Sequence, residues 1–242
     1  MEKKINYENL SFYAYSNDKL INGKIKGLVI DFFGLGCMAM YHNDTSNGKF
    51  YAENNVIYVV PYTNPWGWMN RDEVRLADEI IDVILENYNL DGAVLPIVSI
   101  GGSMGGLACI VYTKYAKYTP VGCVANCPVC DLPYHYTERV DLPRTLYSAF
   151  YSYEESMEDA LKSCSPLHLA KELPKKTEYT IFHCEKDSAV NIGMHSDQFV
   201  KELSKYRSVN YYTVPDRDHC DLDEENEKKY LEAALEYINK NC

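Results

Sequence analysis

Leu95 to Val111 reads LPIVSIGGSMGGLACIV, an apolar strand-like run joined to a helix-like one through a Gly-x-Ser-x-Gly motif at Gly101, Ser103 and Gly105. This is the sequence form of a nucleophile elbow. A serine on a tight turn between a buried strand and a helix has its hydroxyl lifted above the sheet edge, and only residues without bulky side chains pack beside it. Glycines at 101, 102, 105 and 106 leave that room. The helix that follows aims its first amides, that of Met104 included, at any negative charge forming next to Ser103. Ser103 therefore reads as a nucleophile. The plainer alternative is a glycine-rich turn without chemistry, and the rest of the chain decides between the two.

An elbow serine needs a general base and an acid that orients it, in the chain order serine, acid, histidine. Tyr179 to Cys184 (YTIFHC) reads as a strand and runs into EKDSAV, which puts Asp187 on the loop just past the strand end. Val209 to Val214 (VNYYTV) reads as another and runs into PDRDHCD, which puts His219 on the next strand-to-helix loop. Three groups in the required order, each just after a predicted strand, agree at several levels of description. The expected triad is Ser103, Asp187 and His219.

Further runs extend the pattern: KGLVIDFF (26–33), NVIYVVP (55–61), LPIVSIG (95–101) and VGCVAN (121–126), with helical segments between most of them. Such alternation predicts an α/β fold with a mostly parallel central sheet flanked by helices. Residues before Lys26 leave room for one or two edge strands at most. A helix is expected from Asn70, with Asn70 as cap, Glu73 as its reciprocal partner, and Val74, Ala77, Ile80, Ile81, Ile84, Leu85 and Tyr88 on one apolar face. The helix after Ser103 repeats the pattern through Leu107, Ala108, Val111 and Tyr115.

With these segments in place the chain resembles the α/β-hydrolase family, and within it the branch of prolyl-oligopeptidase-like peptidases and small esterases. The resemblance rests on LVIDFFGLG (28–36), IGGSMGGLA (100–108), SPLHLAKEL (165–173), HCEKDSAV (183–190) and VPDRDHCD (214–221). It implies an α/β-hydrolase fold, and it implies the Leu35 amide as the second oxyanion donor beside that of Met104. Phe33 stands where many relatives carry a histidine before glycine, Glu185 where glycine is frequent, and Asn191 where proline is common. None of these changes removes a catalytic group.

A chain of 242 residues with 46% hydrophobic content can bury a sizeable core, and one domain over residues 1–242 is expected. A net charge of −11 argues against nucleic acid as a partner. The acidic run 216–227 reads mainly as the first turn of the last helix, where carboxylates are stabilised. The N-terminus has lysines without an apolar stretch after them, so no signal peptide is read there. The uncharged stretch 92–113 is interrupted by glycines and prolines and reads as core, so no membrane partner is expected. Nine cysteines without regular spacing suggest reduced thiols and a cytoplasmic protein. Cys127 and Cys130 have the spacing of a redox or metal pair. They lack the following helix and second pair that such roles need, so neither a metal nor another cofactor is expected. Cys220 is read as a neighbour of His219 in sequence only, and His135 and His183 as core or surface residues.

The irregular segment between Asn126 and Ser165 is read as a modest lid over residues 131–163. Tyr134, Tyr136, Tyr147, Phe150, Tyr151 and Tyr153 are its candidate pocket aromatics, with Tyr134 and Tyr147 foremost; Trp66 and Trp68, in the loop 62–70, form a second candidate wall. Hydrolase core and lid consume nearly all of this length, leaving little to grip a long chain. The expected activity is two-step acyl transfer on small short-acyl esters. Cleavage of short peptides, and ligand binding without turnover, are the alternatives.

Overall fold

The computed structural model of the protein describes residues 5–37 and 39–242. After a short edge strand β1 (Ala14–Ser16), the chain alternates between strand and helix: β2 (Gly27–Phe32), α1 (Ser46–Glu53), β3 (Val56–Pro61), α2 (Arg71–Asn87), β4 (Ile97–Gly102), α3 (Met104–Tyr115) and β5 (Gly122–Asn126). Four short helices then follow without an intervening strand: α4 (Leu132–Glu138), α5 (Leu142–Phe150), α6 (Met157–Ser163) and α7 (Pro166–Leu169). The chain closes with β6 (Glu178–Cys184), α8 (Ser196–Leu203), β7 (Val209–Val214) and α9 (Glu224–Asn241).

The strands form one sheet in the order β1-β3-β2-β4-β5-β6-β7, antiparallel only at the β1–β3 pair. Parallel strands covered on both faces read as continuous apolar runs, which is why β2 to β6 were visible in the sequence. Alternation along each strand divides the core in two. Leu28, Ile30, Ile57, Val59, Ile97, Cys123, Ala125 and Ile181 face the side packed by α2, α3 and α8. Val29, Val56, Tyr58, Val98, Ile100, Val124 and Phe182 face the side packed by Tyr51 of α1 and Ala234, Tyr237 and Ile238 of α9.

Two expectations change in detail. Asn70 caps α2, its Oδ1 accepting from the amides of Asp72 and Glu73, but the Glu73 carboxylate accepts from Met69 N at 2.7 Å and not from its cap residue. Met69 sits in the left-handed region at φ 55°, and that turn aims its N–H at the carboxylate. Helix α3 is buried from Met104 through Thr113, so it has no single apolar face; it runs through the middle of the core. The acidic run divides as well. Asp223 caps α9 and Glu224, Glu225 and Glu227 occupy its first turn, whereas Asp216 to Asp221 form the loop before it.

Candidate active site

Ser103 lies between β4 and α3 with φ 59° and ψ −123°, a conformation that a side-chain-bearing residue adopts only when its surroundings enforce it. Ser103 N donates to Asn126 O at 2.9 Å, which ties the elbow to the end of β5. The glycines are needed for close approach. A Cβ on Gly105 would overlap the Phe32 carbonyl, and one on Gly101 would overlap the Gly105 carbonyl. Strand β2, the elbow and the first turn of α3 are thereby held backbone to backbone.

Asp187 follows β6 and His219 follows β7, and the parallel register of these strands brings their loops together. His219 Nδ1 donates to Asp187 Oδ2 at 2.7 Å. Asp187 Oδ1 accepts from the amides of Ala189 and Val190, so both oxygens are engaged. Burial would raise the Asp187 carboxyl, but hydrogen bonds from His183, His219 and the Val190 amide outweigh it and hold the acid far below its ordinary range. Burial would likewise lower His219, and the hydrogen bond and charge of Asp187, with a contact from Cys127, raise it from 6.5 to about 9. Asp218 and Asp216 have other duties. Asp218 Oδ1 accepts from Ser188 and from the His219 main chain, and Asp216 pairs with Lys186.

Ser103 and His219 line one cavity of about 470 Å³, together with Phe32, Phe33, Leu35 and Trp68. No hydrogen bond joins Ser103 Oγ to His219 among the described residues; His219 Nε2 lies instead 3.8 Å from Cys220 Sγ. Cys220 is thus a neighbour of the imidazole in space as well as in sequence. Leu35 lies on the loop after β2, and Met104 opens α3 beside the serine. A Cβ on Gly34 would touch Ser103 Cβ at 3.8 Å, so this loop passes directly alongside the nucleophile candidate.

The wall differs from the expected one. Trp68 is on it, fully buried, with Nε1 donating to Thr145 Oγ1 at 3.1 Å. Trp66 and Tyr147 are exposed and Tyr134 stacks edge-on against His195, and none of the three lines the cavity. Of the other lid aromatics, Phe150 is core, Tyr151 is exposed and Tyr153 borders a separate pocket. Helix α4 and the residue after it supply His135 and Arg139 instead. His135 Nδ1 bonds Glu138 Oε2 at 2.6 Å, and the same oxygen bonds His195 Nε2 at 3.0 Å. Burial opposes ionisation of Glu138, but its two histidine partners prevail and bring it to about 2. Nothing in the sequence marked this trio, because Glu138 and His195 are 57 residues apart.

Residues 85–242 match the prolyl oligopeptidase family. The chain belongs to that family. A search of the curated proteins gave no match. Among solved structures, the chain is similar to a puromycin-hydrolyzing peptidase of Mycobacterium tuberculosis, at 17% identity and a TM-score of 0.69, over 91% of this chain but 35% of that one. It therefore spans about a third of that relative's length. It is also similar to an S-formylglutathione hydrolase from Agrobacterium tumefaciens, at 15% identity and a TM-score of 0.69, over 94% and 88% of the two chains. A truncated carbohydrate esterase from gut microbiota gives 15% identity and a TM-score of 0.66 over 90% and 88%. The fold is that of the α/β-hydrolases. No helix among the described residues is long and apolar enough to cross a membrane.

Proposed function

We propose that the protein is a serine hydrolase working by acyl transfer, and that it is a carboxylesterase for small esters with short acyl groups. The observation that carries this reading is the His219–Asp187 hydrogen bond of 2.7 Å, which turns Nε2, now beside Cys220 Sγ at 3.8 Å, toward the cavity that Ser103 also lines. In the attacking step Nε2 turns from Cys220 toward Ser103 Oγ and takes its proton. Catalytic hydrogen bonds commonly tighten in this way only once substrate is bound. Asp187 then stabilises the imidazolium, and the amides of Met104 and Leu35 receive the tetrahedral oxyanion. Collapse of this intermediate expels the alcohol, which takes the proton from His219 and leaves the acyl group on Ser103 Oγ. Water, giving its proton to His219, then attacks the acyl-enzyme and releases the acid and the free serine.

Peptide cleavage is the second reading, favoured by the family match over residues 85–242. Both readings require an activated serine. Labelling with a fluorophosphonate probe, followed by mass-spectrometric localisation, tests that shared requirement without a choice of substrate. Modification confined to Ser103 supports it, and a folded protein that stays unlabelled in the presence of EDTA refutes it.

A further inference from the structure

Three ligand-type atoms meet beside the triad. Cys127 Sγ, His219 Nε2 and Cys220 Sγ belong to a group whose ligand atoms all lie within 4.8 Å of one another. Cys127 directly follows β5 and is buried, while His219 and Cys220 border the substrate cavity. The sequence placed Cys127 with Cys130, but Cys130 Sγ turns away to Pro128 O, and the partners of Cys127 lie 92 and 93 residues further on. We propose that this trio is a binding site for a thiophilic divalent cation of the Zn²⁺ type, and that occupancy switches the hydrolase off.

The donor set suits such an ion, since two thiolates and one imidazole are the ligands that zinc takes in three-ligand sites with an open fourth position. A tetrahedral site with Zn–S of about 2.3 Å and Zn–N of about 2.0 Å needs ligand atoms roughly 3.5 to 3.8 Å apart. His219 Nε2 and Cys220 Sγ stand 3.8 Å apart. The surroundings match as well. The amides of Cys184 and Cys220 both donate to Cys127 Sγ at 3.3 Å, while the contact with the Cys220 thiol and burial push the Cys127 thiol well up, so the ion itself must draw off the proton, as metal-bound thiols are deprotonated. Asp187 holds His219 Nδ1, so the imidazole is anchored by a carboxylate behind it as metal-bound histidines commonly are. Cys127 and Cys220 are kept in the left-handed region at φ 45° and 56°, an arrangement cysteine does not adopt without constraint. In the same corner Asn126, whose Nδ2 donates to Cys220 O, has a buried Oδ1 without a hydrogen-bond partner among the described residues, an acceptor that a metal-bound water can answer.

Another of the three clusters of this kind among the described residues, His135, Glu138 and His195, contrasts with it. There Glu138 already joins both rings, and His195 Nδ1 accepts from the amides of Cys130 and Asp131, so its lone pairs are spoken for. At the cysteine site the ion takes the lone pair of Nε2, and the two thiol protons, together with the Nε2 proton wherever the ring is charged, pass to solvent. A histidine whose Nε2 is bound to metal cannot accept the Ser103 proton. This inhibitory consequence rests on the acyl-transfer reading; the binding does not.

The test starts from chelator-stripped protein kept reduced with a phosphine, titrated with Co²⁺. One equivalent should produce a thiolate-to-cobalt charge-transfer band in the near ultraviolet, and Zn²⁺ should abolish it by displacement. Cys220→Ser should weaken Co²⁺ binding by well over about tenfold, since even the outer partners of metal ligands are worth that much. Fluorophosphonate labelling of wild-type Ser103 should fall as Zn²⁺ approaches one equivalent and return with EDTA. A folded wild type that gives no thiolate band, or a Cys220→Ser variant that binds Co²⁺ as tightly as wild type, overturns the site. If the protein gives the band with Co²⁺ but, once stripped of metal, never reacts with the probe, the hydrolase reading fails and the metal site stands.

Discussion

Asp187 stands between two histidines: its Oδ2 accepts from His219 Nδ1 at 2.7 Å and lies 3.3 Å from His183 Nε2. His183 is wholly buried on β6, with Nδ1 at 2.6 Å from Ser196 Oγ and Nε2 at 3.1 Å from Val190 O. The acid is therefore fixed from the sheet side by a ring that never reaches the cavity. Position and charge of the His219 ring both follow from this arrangement.

The first expectation concerns pH. A base must be neutral to act, and His219 is raised to about 9, so in metal-free buffer kcat/KM should climb through the neutral range and level off only near that value. Asp187→Asn removes the charge that raises the imidazole, so the limb should move down toward or below 6.5 while the plateau rate falls. The sign for stability is opposite. A raised histidine stabilises the fold fully below its unfolded pKa, and that contribution is lost as pH rises through about 9. A wild-type limb at or below 6.5 would show that Asp187 does not govern His219.

Ser103→Ala should abolish nearly all turnover of an activated ester, a loss on the order of a millionfold in kcat, with the circular dichroism spectrum and melting curve retained. The elbow is held by glycine contacts and the Ser103 N to Asn126 O bond, none of which needs the hydroxyl. Wild-type rates in this variant would end the serine-hydrolase reading.

His183→Leu separates positioning from chemistry. Leucine fills similar space but leaves Ser196 Oγ and Val190 O without the ring, at a cost of about 1 to 3 kcal/mol in unfolding free energy. Because Asp187 loses one support while His219, Ser103 and the cavity wall remain, kcat should drop and KM should hold. A KM increase with unchanged kcat would place His183 in substrate binding instead.

The places of Ser103, Asp187 and His219 were legible because each lies on the loop after a strand that the sequence identified, and the parallel order of those strands sets the loops side by side. The cavity wall was not legible. Tyr147 and Trp66 have the composition of wall residues, but aromatic character says nothing about which way a short helix or loop turns it. His135 and Arg139 entered the cavity through the packing of α4 against the core, and Cys127 met Cys220 across 93 residues. Long-range meetings of single polar side chains leave no periodic trace. The α2 cap shows the same limit on a small scale, since the box pattern identified the right residues and a left-handed Met69 redirected one of its bonds.

Asn70 ties α2 to α5 as well as capping it. Its Oδ1 serves two amides of the first turn, and its Nδ2 donates to Ala149 O of α5 at 3.0 Å. Asn70→Ala should cost about 1 to 2 kcal/mol, read as a lower urea midpoint with an unchanged slope. Asn70→Asp keeps the cap but not the donor, so it should recover most of the loss. Equal destabilisation by both would assign the effect to the α5 contact alone.

The last expectation separates ester from peptide chemistry. A cavity of about 470 Å³ takes a small ligand, and its wall mixes Phe32, Phe33 and Trp68 with the polar His135 and Arg139. An acyl chain that outgrows the apolar part gains nothing from further methylenes, each of which forfeits burial worth roughly 0.8 kcal/mol, and it meets the polar wall as well. Across nitrophenyl esters from acetyl to dodecanoyl, kcat/KM should peak between acetyl and butyryl and fall with each added pair of carbons. Trp68→Ala enlarges the apolar side, so it should move the peak toward longer chains. Proline-containing dipeptide amides belong in the same series, because they share the nucleophile but need a better-stabilised leaving amine. If they are cut with higher kcat/KM than every short ester, the enzyme is a peptidase, and the short-acyl pocket is no more than space beside the scissile bond.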